Sequence, residues 1–220
     1  MKRRLVAGYL IALHLLLGLA LVQSDFRQRI AARLGFEVAG DAAFISTLRR
    51  IHAQMDASVP AGATLFLGDS ITMALATAAV APHAVNYGIG SQRSDHLLES
   101  MQAYRAIERA GAVVIAIGVN DLLQGRTAGI ELRYQDILRA VPAAVRVVLS
   151  SPTPVAEIEP GRQVAVRDAA RRACVARPGC TFVDGYALLS SSPGSLLPDG
   201  VHLSPAGYAL WIPALRQALQ

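Results

Sequence analysis

The chain has 220 residues, 53% of them hydrophobic, and its 21 basic and 16 acidic side chains give a net charge of +5. Without residues 1–24 the count is 18 bases against 16 acids; no basic run with interleaved aromatics follows, so nucleic acid is not expected as a partner. Lys2 is the only lysine, which excludes a glycine-rich phosphate loop ending in lysine and argues against a nucleotide-driven reaction.

In chain order, Lys2-Arg3-Arg4 precedes residues 5–22, an apolar run that holds no Asp, Glu, Lys or Arg. Such a run behind a basic cluster is membrane-spanning or signal-sequence material. Val22-Gln23-Ser24 is not an Ala-x-Ala cleavage motif, so the expectation for 1–24 is an uncleaved membrane anchor; cleavage would make the protein secreted. The positive-inside rule puts the basic cluster in the cytoplasm and the rest outside it, in the periplasm. Residues 25–58 read as a juxtamembrane and helical lead-in, in which Arg27, Arg29, Arg33 and Phe36 suit either anionic headgroups or a solvated helix face.

Residues 59–220 form one domain, without an internal repeat or a low-complexity linker. Apolar segments at 64–67, 84–87, 113–117, 146–150 and 181–183 read as strands. Helical patterns fall at 41–57, 71–79, 94–109, 129–140, 162–176 and 205–218. The alternation predicts an α/β fold, a parallel sheet between two helical layers. Right-handed crossovers then bring successive strand ends to one rim, where open parallel sheets bind ligands.

Four polar clusters stand at such ends or near the C-terminus: Gly68-Asp69-Ser70, Asn86-Tyr87-Gly88-Ile89-Gly90-Ser91, Gly118-Val119-Asn120-Asp121 and Asp199-Gly200-Val201-His202. Each alone reads as a turn with a helix cap. Together they supply a hydroxyl nucleophile, a histidine base, a carboxylate to orient it and an amide that can donate to an oxyanion. Of the five histidines only His202 has an aspartate three residues before it; His14, His52, His83 and His96 do not. Asp69 is set aside as the acid of the triad, because adjacent residues in a tight turn point apart. Without a His-x-x-x-His pair or a close cluster of His, Cys and carboxylates, no metal and no cofactor are expected.

These four blocks resemble the SGNH hydrolases, also called the GDSL esterase/lipase family, over most of the chain after residue 60. The resemblance implies a three-layer fold with a five-stranded, flavodoxin-like sheet. It implies Ser70 as nucleophile, His202 as base and Asp199 as its partner. The oxyanion hole would comprise Asn120 and the N–H groups of Ser70 and Ser91. Ser91 departs from the family's glycine; its backbone donor survives if the turn does not need a positive φ, and Gly90 is the fallback donor. The expected activity is hydrolysis of carboxylic esters through an acyl-enzyme, with an acyl-ester substrate on an envelope glycan or lipid, or a thioester. Acyl transfer to a sugar hydroxyl and a catalytically silent glycan-binding module are the alternatives.

Loops 151–161 and 190–198 are expected to shape the pocket, with Val155 and Ile158 facing an acyl group and the serines a sugar. Cys174 and Cys180 flank the turn Arg177-Pro178-Gly179, where they either bridge in an oxidising compartment or stay as buried thiols.

Overall fold

The computed structural model describes residues 2–23 and 39–220. Contacts divide the chain into Met1–Ala42 and Ala43–Gln220. In the first unit, α1 (Lys2–Gln23) is a 22-residue helix on which Val6, Tyr9, Leu10, Ile11, Leu13, Leu15, Leu16 and Leu17 are exposed. Among the described residues no helix is long and apolar enough to cross a membrane; the two ends of the 5–22 run fall outside those with described side chains. Arg27, Arg29, Arg33 and Phe36 also lie outside the described residues.

The second unit is built on a five-stranded sheet in the order β2-β1-β3-β4-β5. Its strands are β1 (Thr64–Gly68), β2 (Ala84–Gly88), β3 (Ala112–Ala116), β4 (Arg146–Ser150) and β5 (Cys180–Val183), all parallel. This is the flavodoxin-like α/β sheet expected from the sequence. Gly68 pairs with Gly88 and Ala116, Ala116 with Ser150, and Ser150 with Val183. The strands therefore end level, and the residues after them share one rim.

Side chains alternate between the faces of a strand, and each face builds its own core. Leu65, Leu67, Tyr87, Val113, Ile115, Val147 and Leu149 pack with Leu97, Tyr134, Ile137 and Ala170 on one side. Phe66, Val114, Val148 and Val183 pack with Ile71, Trp211 and Leu215 on the other. Every residue of β3 is buried, as befits the central strand of a covered parallel sheet.

Helix α2 (Ala39–Asp56) leads in and is tied to this unit by polar contacts. Asp56 accepts the Tyr87 hydroxyl at 2.7 Å and the Ala106 N–H at 3.0 Å, and Arg49 donates to the Ser100 hydroxyl at 3.0 Å. The helix expected over 71–79 is shorter: α3 (Ser70–Met73) stops and a 3-10 turn follows at Thr77–Ala79. The carbonyls here are claimed elsewhere: the Asn86 side-chain amide donates to Thr72 O at 2.8 Å and, beyond the helix, to Leu75 O at 3.1 Å. The helix expected over 94–109 likewise divides into α4 (Ser94–Met101) and a 3-10 turn, Arg105–Arg109. Tyr104 between them stacks on Tyr87 with ring centres 4.5 Å apart, a packing that an uninterrupted helix does not need to provide.

The remaining helices are α5 (Val119–Leu123), α6 (Ile130–Arg139), α7 (Pro160–Val175), α8 (Gly185–Ser190) and α9 (Pro205–Ala218). Ser204 caps α9 by accepting the Gly207 N–H, with Pro205 at its first position. Cys174 and Cys180 are joined in a disulfide that links α7 to β5.

Candidate active site

Asp69 caps α3: its Oδ1 accepts the Ile71 N–H at 3.0 Å, which leaves Ser70 as the first residue of the helix at the end of β1. The neighbouring strand approaches closely, because a Cβ on Gly88 would lie 2.3 Å from the Met73 nitrogen; only glycine fits there. Asn86 closes this corner by donating to the carbonyls at the end of α3 and accepting the Gly88 N–H at 2.8 Å. From the far side of the chain, the Tyr208 hydroxyl on α9 donates to Ile71 O at 2.7 Å.

His202 comes to Ser70 from 132 positions away in sequence, with its Nε2 3.0 Å from the serine Oγ. Its Nδ1 lies 2.8 Å from Asp199 Oδ2. Asp199 Oδ1 accepts the N–H groups of Val201 at 2.9 Å and His202 at 3.0 Å, so one carboxylate shapes the turn and holds the ring. Those two backbone donors, followed by His202, lower the Asp199 carboxyl to about 2, and its solvent exposure favours the same ionised state. With Nδ1–H donated to Asp199, Nε2 carries the lone pair that accepts the Ser70 hydroxyl. Leu197 N donates to His202 O, and Ala156 N to Gly200 O, both at 2.8 Å. The 151–161 and 190–198 loops are thus fastened to the turn that carries the histidine.

Asn120 and Ser91 sit at the ends of the adjacent strands. Gly118 adopts φ +122°, and a Cβ there would lie 2.4 Å from the Tyr134 hydroxyl oxygen, so the residue before α5 must be glycine. Asn120 Nδ2 donates to Gln92 O at 3.0 Å. The N–H groups of Ser70 and Ser91 have no acceptor among the described residues, which leaves both available to an incoming oxygen. Ser91 is in the left-handed region at φ +60°; the turn does impose the backbone that glycine would adopt without strain. Buried neighbours hold it there. Gln92 Nε2 donates to Ser100 Oγ at 2.7 Å, while Ser94 donates to Asp121 through its N–H at 2.9 Å and its hydroxyl at 2.6 Å. Gly90, the fallback donor, is buried beneath Phe44 and Met73.

Asp69 is only 1% exposed. Its Oδ2 lies toward the Val119 N–H without a hydrogen bond of normal geometry. Burial pushes its carboxyl up to about 7, with the Asp121 charge adding to the effect. It pairs with the helix rather than with His202. His52 packs edge-on against Tyr87 at 5.3 Å, and His96 lies 2.8 Å from Arg93. Among the described residues, no group of three or more His, Cys, Asp and Glu is placed to hold a metal ion.

The residues that sequence reasoning missed are Gln92, whose carbonyl positions Asn120, and Phe44 and Met73, which cover Gly90. Gln92 acts through its backbone, so its side-chain type carries no signal. Phe44 lies far from the blocks, and only the fold brings it near.

The model of the GDSL-like lipase/acylhydrolase family matches residues 66–210. No match was found among curated proteins. A solved Streptococcus pneumoniae protein described as a platelet activating factor is 22% identical, with a TM-score of 0.71 over 81% of this chain and 94% of that one. A lipase/acylhydrolase from Enterococcus faecalis is 21% identical, with a TM-score of 0.62 over 71% and 94%. The C-terminal catalytic domain of peptidoglycan O-acetyltransferase A from Streptococcus pneumoniae is 22% identical, with a TM-score of 0.62 over 73% and 93%. These likenesses establish a shared fold.

Proposed function

We propose, on the premise that this chain belongs to the GDSL-like lipase/acylhydrolase family, that it hydrolyses carboxylic esters through Ser70, His202 and Asp199. The observation that carries this reading is the unbroken row of hydrogen bonds from Ser70 Oγ to His202, at 3.0 Å, and on to Asp199, at 2.8 Å. Ser70 Oγ attacks the ester carbonyl carbon while His202 Nε2 takes its proton. Asn120 Nδ2 and the N–H groups of Ser70 and Ser91 hold the oxyanion. The tetrahedral intermediate collapses, the C–O bond to the alcohol breaks, and His202 returns the proton to the departing oxygen. Water then gives a proton to His202 as it attacks the acyl carbon, the C–Oγ bond breaks, and His202 returns that proton to Ser70 as the acid leaves.

The substrate in this reading is an acyl ester of an envelope glycan or lipid. The basic cluster at residues 2–4 and the apolar run at 5–22 support an anchor that leaves the catalytic unit outside the cytoplasm. The Cys174–Cys180 disulfide suits an oxidising compartment.

Acyl transfer is the second reading, favoured by a groove of about 480 Å³ between the two long loops, lined by Val155, Ile158, Tyr186 and Ser190 among others. Ala156, also on its wall, bonds Gly200, two residues before His202. A sugar hydroxyl held there would compete with water for the acyl-enzyme. Release of free acid in the presence of a glycan acceptor separates the two readings.

The test is labelling of the full-length protein by a fluorophosphonate probe, which needs an activated serine and no knowledge of the substrate. Wild type is expected to label, and Ser70→Ala and His202→Ala are not. A folded wild type that does not label, or labelling that persists in Ser70→Ala, overturns the assignment.

A further inference from the structure

In the ester-hydrolase reading, on which this inference rests, three directions at the reacting carbon are already taken. One bond goes to Ser70 Oγ, the oxyanion points to Asn120 and the Ser91 N–H, and the departing oxygen points to His202, which must protonate it. The acyl chain takes the fourth. His202 arrives on the loop after β5 and α8, whereas Ser91 follows β2, the strand at the other edge of the sheet.

At the β2 edge two apolar side chains converge without a polar function. A Cβ on Gly90 would lie 3.2 Å from Phe44 Cε1 and 3.6 Å from Met73 Cε. Both therefore cover the turn that carries Ser91, yet Phe44 is 44% and Met73 43% exposed. Met73 stands three residues beyond Ser70 on α3, one helical turn from the nucleophile. Phe44 comes from α2, outside the 66–210 stretch that the family covers. Its helix is fixed to the oxyanion turn, because Arg49 Nε and Gln92 Nε2 share one acceptor, Ser100 Oγ, at 3.0 and 2.7 Å. Half-exposed apolar surface over the turn that carries an oxyanion donor gains free energy from each methylene laid on it.

We infer that Phe44 and Met73 form the acyl-binding wall of the site and select esters of medium-length and longer acyl chains over acetyl esters. Selectivity of this kind accumulates with the number of methylenes buried.

The test compares kcat/KM of the full-length protein on p-nitrophenyl acetate, butyrate and octanoate for wild type, Phe44→Ala and Met73→Ala. Rates of Ser70 labelling by a methyl and an octyl fluorophosphonate give the same chain-length ratio without turnover. The octanoate-to-acetate ratio is expected to fall about tenfold in each variant, mainly through KM. Phe44→Gln, polar but of similar reach, keeps the helix and is expected to lower the ratio likewise. A ratio unchanged within about twofold in all three variants overturns the wall, whatever their absolute rates. Chain-length-dependent labelling without hydrolysis of any ester by wild type would overturn the hydrolase reading and leave the wall standing.

Discussion

The Asn120 side chain is bonded to the Gln92 carbonyl at 3.0 Å, and Gln92 is the residue after Ser91. One hydrogen bond thus locks the amide after β3 to the turn after β2, and sets the spacing between two proposed oxyanion donors. The amide nitrogen has two hydrogens; the second remains for the substrate oxygen. Asn120→Ala is expected to lower kcat about 100- to 1000-fold, the usual effect of removing one such donor. The thermal midpoint should move little, because Asn120 is only partly buried. Steady-state kinetics beside a melting curve check this, and a fall of less than about threefold would remove Asn120 from the hole.

Ser91 carries a strain that the fold imposes. At φ +60° an L residue costs roughly 1–2 kcal/mol relative to its ordinary backbone, while glycine has no such penalty. Ser91→Gly is therefore expected to raise stability by about 1 kcal/mol in urea unfolding, and Ser91→Val to lower it by at least as much. A Ser91→Gly protein no more stable than wild type would mean that the buried contacts of Gln92 and Ser94 accommodate the turn at no cost.

Much of this was legible in the sequence. The strands β1, β2 and β4 show as short apolar runs punctuated by Gly, Asn or Ser, and their level ends follow from parallel pairing. The spacing of Asp199 and His202 is readable because a single turn joins them. The helices α5 and α8 leave no such signal, since five or six residues are too few to display a helical period. The sign of φ at Ser91 could not be read either: a serine is compatible with an ordinary turn, and only Gln92, Ser94 and Asp121 together force the other one. The position of Phe44 over Gly90 depends on long-range packing of α2, held by Asp56 and Arg49, which no local pattern encodes.

Asp69 should make stability depend on pH. Its carboxyl is raised from 3.8 to about 7 in the fold, chiefly by burial. Between those values the native protein holds a proton that the unfolded chain has lost, so this group's contribution is complete at low pH and disappears as pH rises through 7. Its slope approaches ~1.4 kcal/mol per pH unit in that window. Asn at position 69 stays neutral and keeps an oxygen for the Ile71 N–H. The unfolding free energy of Asp69→Asn relative to wild type is expected to shift in the variant's favour between pH 5 and pH 8. A difference independent of pH would show that Asp69 is ionised throughout.

The disulfide is predicted to act on stability and not on the site. Cys174 lies near the end of α7 and Cys180 opens β5, with a sequence separation of 6. A loop this small restricts the unfolded chain by about 2 kcal/mol. The same turn is held a second way, since Arg177 donates to the carbonyls of Leu138, Val141, Pro142 and Val145 at 3.0–3.3 Å. Replacing both cysteines by serine should therefore leave the turn formed and lower the melting temperature by roughly 4–8 °C for a domain of this size. Adding Arg177→Ala should cost more in the cysteine-free protein than in the bridged one, because the two restraints act on one turn. Calorimetry of the four proteins, with and without reductant, measures both effects. Equal costs of Arg177→Ala in the two backgrounds would show that the bridge and the arginine act independently.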